Sequence, residues 1–313
     1  MKYLLELKTT SEDCSVGSFY WKKLTLDNQV SMYIAAARDM GHDVGGVVYD
    51  VIRKTGLRPT GKGTETPASY ESRIVAQIAE EPDRYFMRGV IVRTVDEVAE
   101  HEADVWQMAD LIRLARNAGR WPRYVGSCVM YGSTCDYWAV CAEGGDIGND
   151  TIYKTREPMS GTGVVVGHNG IVSPEKVRLP ILSASAMSTW RACPRKYYYG
   201  YELRRRKVGE DSKPLWFGKL IHSAVEAYNL TDKTAGDPLA SALVVCDTAK
   251  EPHEAAHARA LLRGYHARWA DAPLRIIATE APFVRPLRNP DTGGVSRTFE
   301  LGGFVDAIVE ETT

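Results

Sequence analysis

The stretch Tyr3-Leu4-Leu5-Glu6-Leu7-Lys8 decides how the chain is read. Alternation along it sends Leu4, Glu6 and Lys8 to one side of an extended strand and Tyr3, Leu5 and Leu7 to the other. Downstream, Leu26, Val30, Tyr33, Ile34 and Ala37 recur at helical spacing, with Gly41 as a C-terminal stop. Residues 45–52, GGVVYDVI, then read as a buried strand. This β-α-β succession predicts an α/β fold, a central mixed β-sheet flanked by helices.

Working outward, residues 56–68 are rich in Gly, Thr and Pro and read as a loop. Helices are predicted around 69–80 and 94–117, with a short strand between them. Residues 155–178 turn Gly- and Pro-rich without sustained periodicity and form the linker candidate. A second helical stretch starts at Ser183, runs through Trp190 and the aromatic run Tyr197, Tyr198 and Tyr199, and is followed by helices near 216–228 and 251–269. Strands are predicted at 275–278, 280–286 and 298–309. No internal repeat is present.

With 313 residues, 44% of them hydrophobic and 25% charged, the chain has a globular composition. No apolar run is long enough for a membrane span and the opening residues lack signal-peptide features, so a cytoplasmic protein with no membrane partner is predicted. The formal net charge of −1 does not announce a polyanionic partner. Basic runs such as Arg204-Arg205-Arg206-Lys207 and Arg53-Lys54 read as solvated faces more readily than as binding patches. Six cysteines in such a compartment do not imply disulfides. Three of them, Cys128, Cys135 and Cys141, crowd the segment 120–145; Cys193 stands before a proline, and Cys14 and Cys246 have no evident companions.

Glu6 and Lys8 share one strand face two residues apart, a pairing suited to a site where metal and water meet a phosphodiester. Such a triplet is common by chance. Asp306 adds weight, because it is the one acid in the apolar run Leu301–Val309, and a buried carboxylate needs a cation or a salt-bridge partner. His222 follows Gly218 by one helical turn, and Gln29 and Tyr33 share a helix face; each also reads as ordinary packing.

Taken together, these residues resemble the RecB-like PD-(D/E)XK nucleases, a group that includes CRISPR adaptation nucleases and phage exonucleases. The matching motifs are Cys193-Pro194-Arg195-Lys196-Tyr197, Gly218 to His222, Gly303 to Asp306, Glu6 to Lys8, and Gln29 to Tyr33. Their order departs from the family, since the last two motifs open this chain. Reading 159–313 and then 1–158 restores it, as in a circularly permuted single nuclease domain with Met159 resembling an original start and Pro158 an original end. The first and last strands should then lie side by side.

The resemblance implies a restriction-endonuclease-like core, with a helical lobe and a metal-stapled cysteine segment. It implies Mg²⁺ or Mn²⁺ held by His222, Asp306 and Glu6, Lys8 as the catalytic lysine, Gln29 and Tyr33 in support, and Glu280 as a further acid. It also implies an iron-sulfur cluster of the 4Fe-4S type on Cys128, Cys135, Cys141 and Cys193, with Zn²⁺ as the alternative because the cysteine spacing departs from the family's. The function implied is metal-dependent hydrolysis of DNA, exonucleolytic, in recombination, repair or phage DNA metabolism, with DNA and recombination or replication proteins as partners. A decayed nuclease that only binds nucleic acid and a cysteine-metal structural module are the rival readings.

Overall fold

The computed structural model describes residues 1–61, 64–130, 132–156, 179–209, 212–231 and 236–312. Most of the predicted linker, and the Pro158–Met159 join, lie outside the described residues. The chain divides into two compact units, one made of Met1–Arg93, Asp211–Ala281 and Val305–Thr313, the other of Thr94–Glu210 and Pro282–Phe304. No helix among the described residues is long and apolar enough to cross a membrane.

The first unit is built on a mixed sheet flanked by helices. Its opening strand, Lys2–Thr10, pairs in parallel with Val44–Arg53, which pairs antiparallel with Phe86–Ile91. On its other side it runs antiparallel to the end of the last strand, Val295–Glu311, with Lys2 opposite Glu310 and Leu5 opposite Ala307. The expected neighbourhood of first and last strands is therefore present, and the Glu311 amide donates to the Met1 carbonyl at 2.9 Å. The register slips near the Gly45-Gly46 pair. Gly46 sits at φ 153°, where a Cβ would lie 2.7 Å from the Ile91 carbonyl oxygen.

Alternation along the opening strand sorts its two faces. Leu7 and Ile52 join the main core with Ile74, Ile78, Ile221, Val225, Leu261 and Tyr265, drawn from the helices Pro67–Glu80, Lys213–Leu230 and Pro252–Trp269. Leu5, Val48, Ala307 and Val309 form a second apolar cluster. Glu6 and Lys8 reach the helix Asn28–Asp39. The strands expected at 275–278 and 280–286 are one strand, Leu274–Arg288, in which Glu280 takes φ 44°. A left-handed residue there deforms the strand locally without reversing the chain.

In the second unit, the helix Val95–Ala118 begins with a capping box between Thr94 and Glu97 and ends at Gly119 in the left-handed conformation. Arg116 grips Glu202 through two hydrogen bonds of 2.8 and 2.9 Å. Tyr137, Tyr153 and Tyr199 form an aromatic core against which Cys135 and Cys141 pack.

One polar network inside the first unit is structural. Asp50, fully buried, accepts from Arg88 and from the Tyr265 hydroxyl, each at 2.7 Å. Asp50→Ala leaves the guanidinium of Arg88 without its counter-ion, so a loss of about 3–5 kcal/mol is expected. Urea denaturation measures it; a loss below about 1 kcal/mol would show that the network does not hold the core.

Candidate active site

Glu6, Lys8, Gln29, Tyr33, His222, Glu280 and Asp306 all belong to the first unit. Strand alternation delivers the first two together. Lys8 Nζ donates to Glu6 Oε1 at 2.6 Å and to Gln29 Oε1 at 3.2 Å. Gln29 Nε2 in turn donates to Glu6 Oε1 and to the Tyr33 hydroxyl, each at 2.7 Å. Gln29 is placed by the cap of its helix, where the Asp27 carboxylate accepts the Gln29 amide at 2.9 Å and also meets the Tyr49 hydroxyl. Asp27 and Tyr49 were not singled out from the sequence. The signal for Asp27 was its place as an N-cap two residues ahead of Gln29.

Asp306 arrives from the other end of the chain. Backbone pairing between the first and last strands is registered as far as Leu5 and Ala307, and the Leu7 amide then donates to Asp306 Oδ2 at 2.8 Å. His222 Nδ1 stands 3.9 Å from the same oxygen. A Cβ on Gly218 would lie 3.2 Å from Thr9 Oγ1, so the glycine keeps the helix close to the first strand one turn ahead of His222. Burial lowers the His222 pKa, partly countered by Asp306, which favours the neutral ring that a metal ligand requires.

Glu6 is 3% exposed, and burial raises its pKa to about 7; Lys8 pulls it down and Asp306 pushes it up. Its second oxygen, Oε2, is buried without a hydrogen-bond partner. Lys8 thus occupies one oxygen as a cation would, while the other is left unsatisfied. Glu280 rises to about 7 through burial, then the charges of Asp306 and Glu226. Its side chain is exposed, so solvent screens those charges and Glu6 carries the pH argument. Glu226, one turn beyond His222 on the same helix, was also not anticipated.

Among the described residues, no three or more His, Cys, Asp or Glu side chains converge closely enough to hold a metal ion as they stand. The orphaned Glu6 oxygen, the adjoining Asp306 carboxylate and the neutral His222 nevertheless form a donor set that fits a hard divalent cation. The four candidate cysteines lie in the second unit as free thiols. Hydrogen bonds bring the backbone around three of them together: Cys135 N–H donates to the Cys128 carbonyl at 2.8 Å, and Ser127 Oγ, next to Cys128, donates to the carbonyl of Ala192, next to Cys193, at 2.6 Å. Cys14 and Cys246 are fully buried in the first unit.

Residues 181–313 match the PD-(D/E)XK nuclease superfamily. That match takes in His222, Glu280 and Asp306 and leaves Glu6, Lys8, Gln29 and Tyr33 outside it. No curated protein and no solved structure matches the chain. The mixed sheet flanked by helices agrees with the restriction-endonuclease-like core of that superfamily.

A carboxyl whose pKa is raised by folding binds more protons folded than unfolded, so stability falls as pH climbs from the ordinary carboxyl range through about 7. In chelator, the melting temperature should therefore decline between about pH 5 and 8, and Mg²⁺ or Mn²⁺ should restore it most at the upper end. A metal effect equal at both ends of the range would rule out Glu6 as the group responsible.

Proposed function

We propose that the chain is a metal-dependent nuclease that hydrolyses DNA phosphodiester bonds. The observation that carries this reading is the meeting of Glu6 and Lys8 from one end of the sequence with Asp306 from the other, beside a neutral His222. Exonucleolytic action in recombination, repair or phage DNA metabolism rests on the motif resemblance.

Glu6, Asp306 and His222 would hold the Mg²⁺ or Mn²⁺. When bound, such an ion acts as a Lewis acid toward a phosphoryl oxygen and lowers the pKa of water. Lys8, fixed by Glu6 and Gln29, is a stationary positive charge suited to orienting water or stabilising charge that develops on the phosphoryl oxygens. Gln29 keeps Lys8 and Glu6 in register, and Tyr33 holds Gln29. The Leu7 amide holds the Asp306 carboxylate in place beside Glu6.

The family match at 181–313, followed in motif order by strand Lys2–Thr10, supports a circularly permuted domain in which 159–313 corresponds to the family's first half and 1–158 to its second. Conversion of Glu6 to Gln, Asp306 to Asn or Lys8 to Ala should reduce Mn²⁺-dependent cleavage by at least about 100-fold while the fold, read by circular dichroism, is kept. Wild-type cleavage by any purified variant removes that residue from the mechanism.

The neighbourhood shared by Cys128, Cys135 and Cys193, with Cys141 on the adjoining helix Trp138–Ala142, supports a four-thiolate site in the second unit. We assign it a 4Fe-4S cluster, with Zn²⁺ as the competing occupant. Protein purified anaerobically should be brown and carry about four irons per chain. Stoichiometric zinc without visible absorbance decides for the alternative.

A further inference from the structure

In the second unit, Gly119, Arg120, Trp121, Pro122, Arg195 and Tyr198 line a cavity of about 550 Å³. We infer that this cavity binds one nucleotide of a single-stranded nucleic acid, its phosphate on Arg120 and Arg195 and its base against Tyr198. The inference rests on the nuclease reading for its choice of ligand.

The volume lies within the roughly 300–1,000 Å³ of small-molecule pockets. Two guanidinium groups line it and no acid does. Arg195 is fixed in advance: its Nε donates to the Trp121 carbonyl at 2.7 Å, and its backbone N–H donates to the Pro122 carbonyl at 3.1 Å. A guanidinium already ordered loses little entropy on meeting a phosphate, and its planar fork suits two phosphate oxygens. Arg120 is exposed beside it. The helix Val95–Ala118 ends here, and its terminal negative field is reduced because Gly119 and Arg120 amides already donate to the Arg116 and Ala115 carbonyls. A Cβ on Gly119 would meet nothing within 4 Å, so the approach is open.

The tyrosine run sorts itself to match. Tyr197 and Tyr199 are buried at 3% and 7% exposure, whereas Tyr198 remains half-buried. Tyr198 is backed by Trp121, with ring centroids 5.0 Å apart and planes 22° from parallel, so its ring is a supported surface. Bases stack on such surfaces whatever their identity, and a cation beside the ring tracks the backbone.

The test is fluorescence anisotropy of an end-labelled oligodeoxythymidine in EDTA, where metal-dependent cleavage is suppressed, with Arg120→Glu and Tyr198→Leu beside the wild type. Neither residue belongs to the Glu6–Asp306 site. Arg120→Glu should weaken single-strand binding on the order of tenfold and lower the salt slope by about one, with an unchanged melting temperature. Tyr198→Leu should weaken it at least about fivefold, and a melt of that variant checks its fold. Affinity within about twofold of wild type for Arg120→Glu overturns the inference, as does an equal loss toward a blunt duplex or the absence of single-strand binding by the wild type. Cleavage in Mn²⁺ is read separately. A chain that binds strands through this cavity but cuts nothing refutes the nuclease reading and leaves the cavity assignment standing; one that cuts normally with unaffected affinity does the reverse.

Discussion

Asp306 accepts the Leu7 amide at 2.8 Å, just beyond the registered backbone pairing between first and last strands, across 299 residues of sequence. This bond places one carboxylate beside another, Glu6, at a spot where the sheet would otherwise continue as a plain ladder. Extending the antiparallel register by one step would set Asp306 opposite Glu6, two like charges on one face, which is unfavourable without a cation between or beside them. Lys8 partly meets that need; burial, with the Asp306 charge as the smaller cause, still raises Glu6 to about 7.

The contrast with Asp50 separates a site acid from a structural one. Asp50 is more deeply buried than Glu6, yet its Oδ2 accepts from both the Arg88 guanidinium and the Tyr265 hydroxyl, so its charge has a full counter-ion. Glu6 has the ammonium of Lys8, which it shares with Gln29, and the like charge of Asp306 beside it; each of the two acids keeps one buried oxygen without a hydrogen-bond partner. Both acids lie on strands of the same sheet and are indistinguishable by hydropathy alone. What distinguishes them is what lies beside each: the Arg88 guanidinium and the Tyr265 hydroxyl for Asp50, and Lys8 and Gln29 together with a second carboxylate, Asp306, for Glu6.

Much of this was legible in the sequence because it is periodic. Period-two alternation at Tyr3–Lys8 put Glu6 and Lys8 on one face, and four-residue spacings joined Gln29 to Tyr33 and Gly218 to His222. The helices near 69–80, 94–117, 216–228 and 251–269 stand where the apolar pattern put them, within a few residues. What periodicity does not encode was missed. The approach of Glu226 to Glu280 depends on segments distant in sequence, and the left-handed Glu280 within one long strand on a single backbone angle, whereas the capping of Gln29's helix by Asp27 is local and follows no apolar period. Nor does the run of three tyrosines reveal which of its rings stays half-exposed, since Tyr197 and Tyr198 both stack on Trp121, far away in sequence.

The order of the motifs has an energetic consequence. If first and last strands were joined by a turn of a few residues, their pairing would be local; here it closes a loop of nearly the whole chain, which by loop-closure scaling costs on the order of 4 kcal/mol more. Against a typical stability of about 5–15 kcal/mol that is a large share. Pairing must therefore be secured sideways. On one flank the opening strand is registered with Val44–Arg53 over most of its length, and on the other the last strand is paired with Leu274–Arg288, where Arg275 grips Glu310. Leu5, Val48, Ala307 and Val309 pack across these strands as one cluster with Leu274 and Ile276. The apolar face thus holds together strands that no short turn joins, and it leaves the opposite side of the same strands to carry the carboxylates.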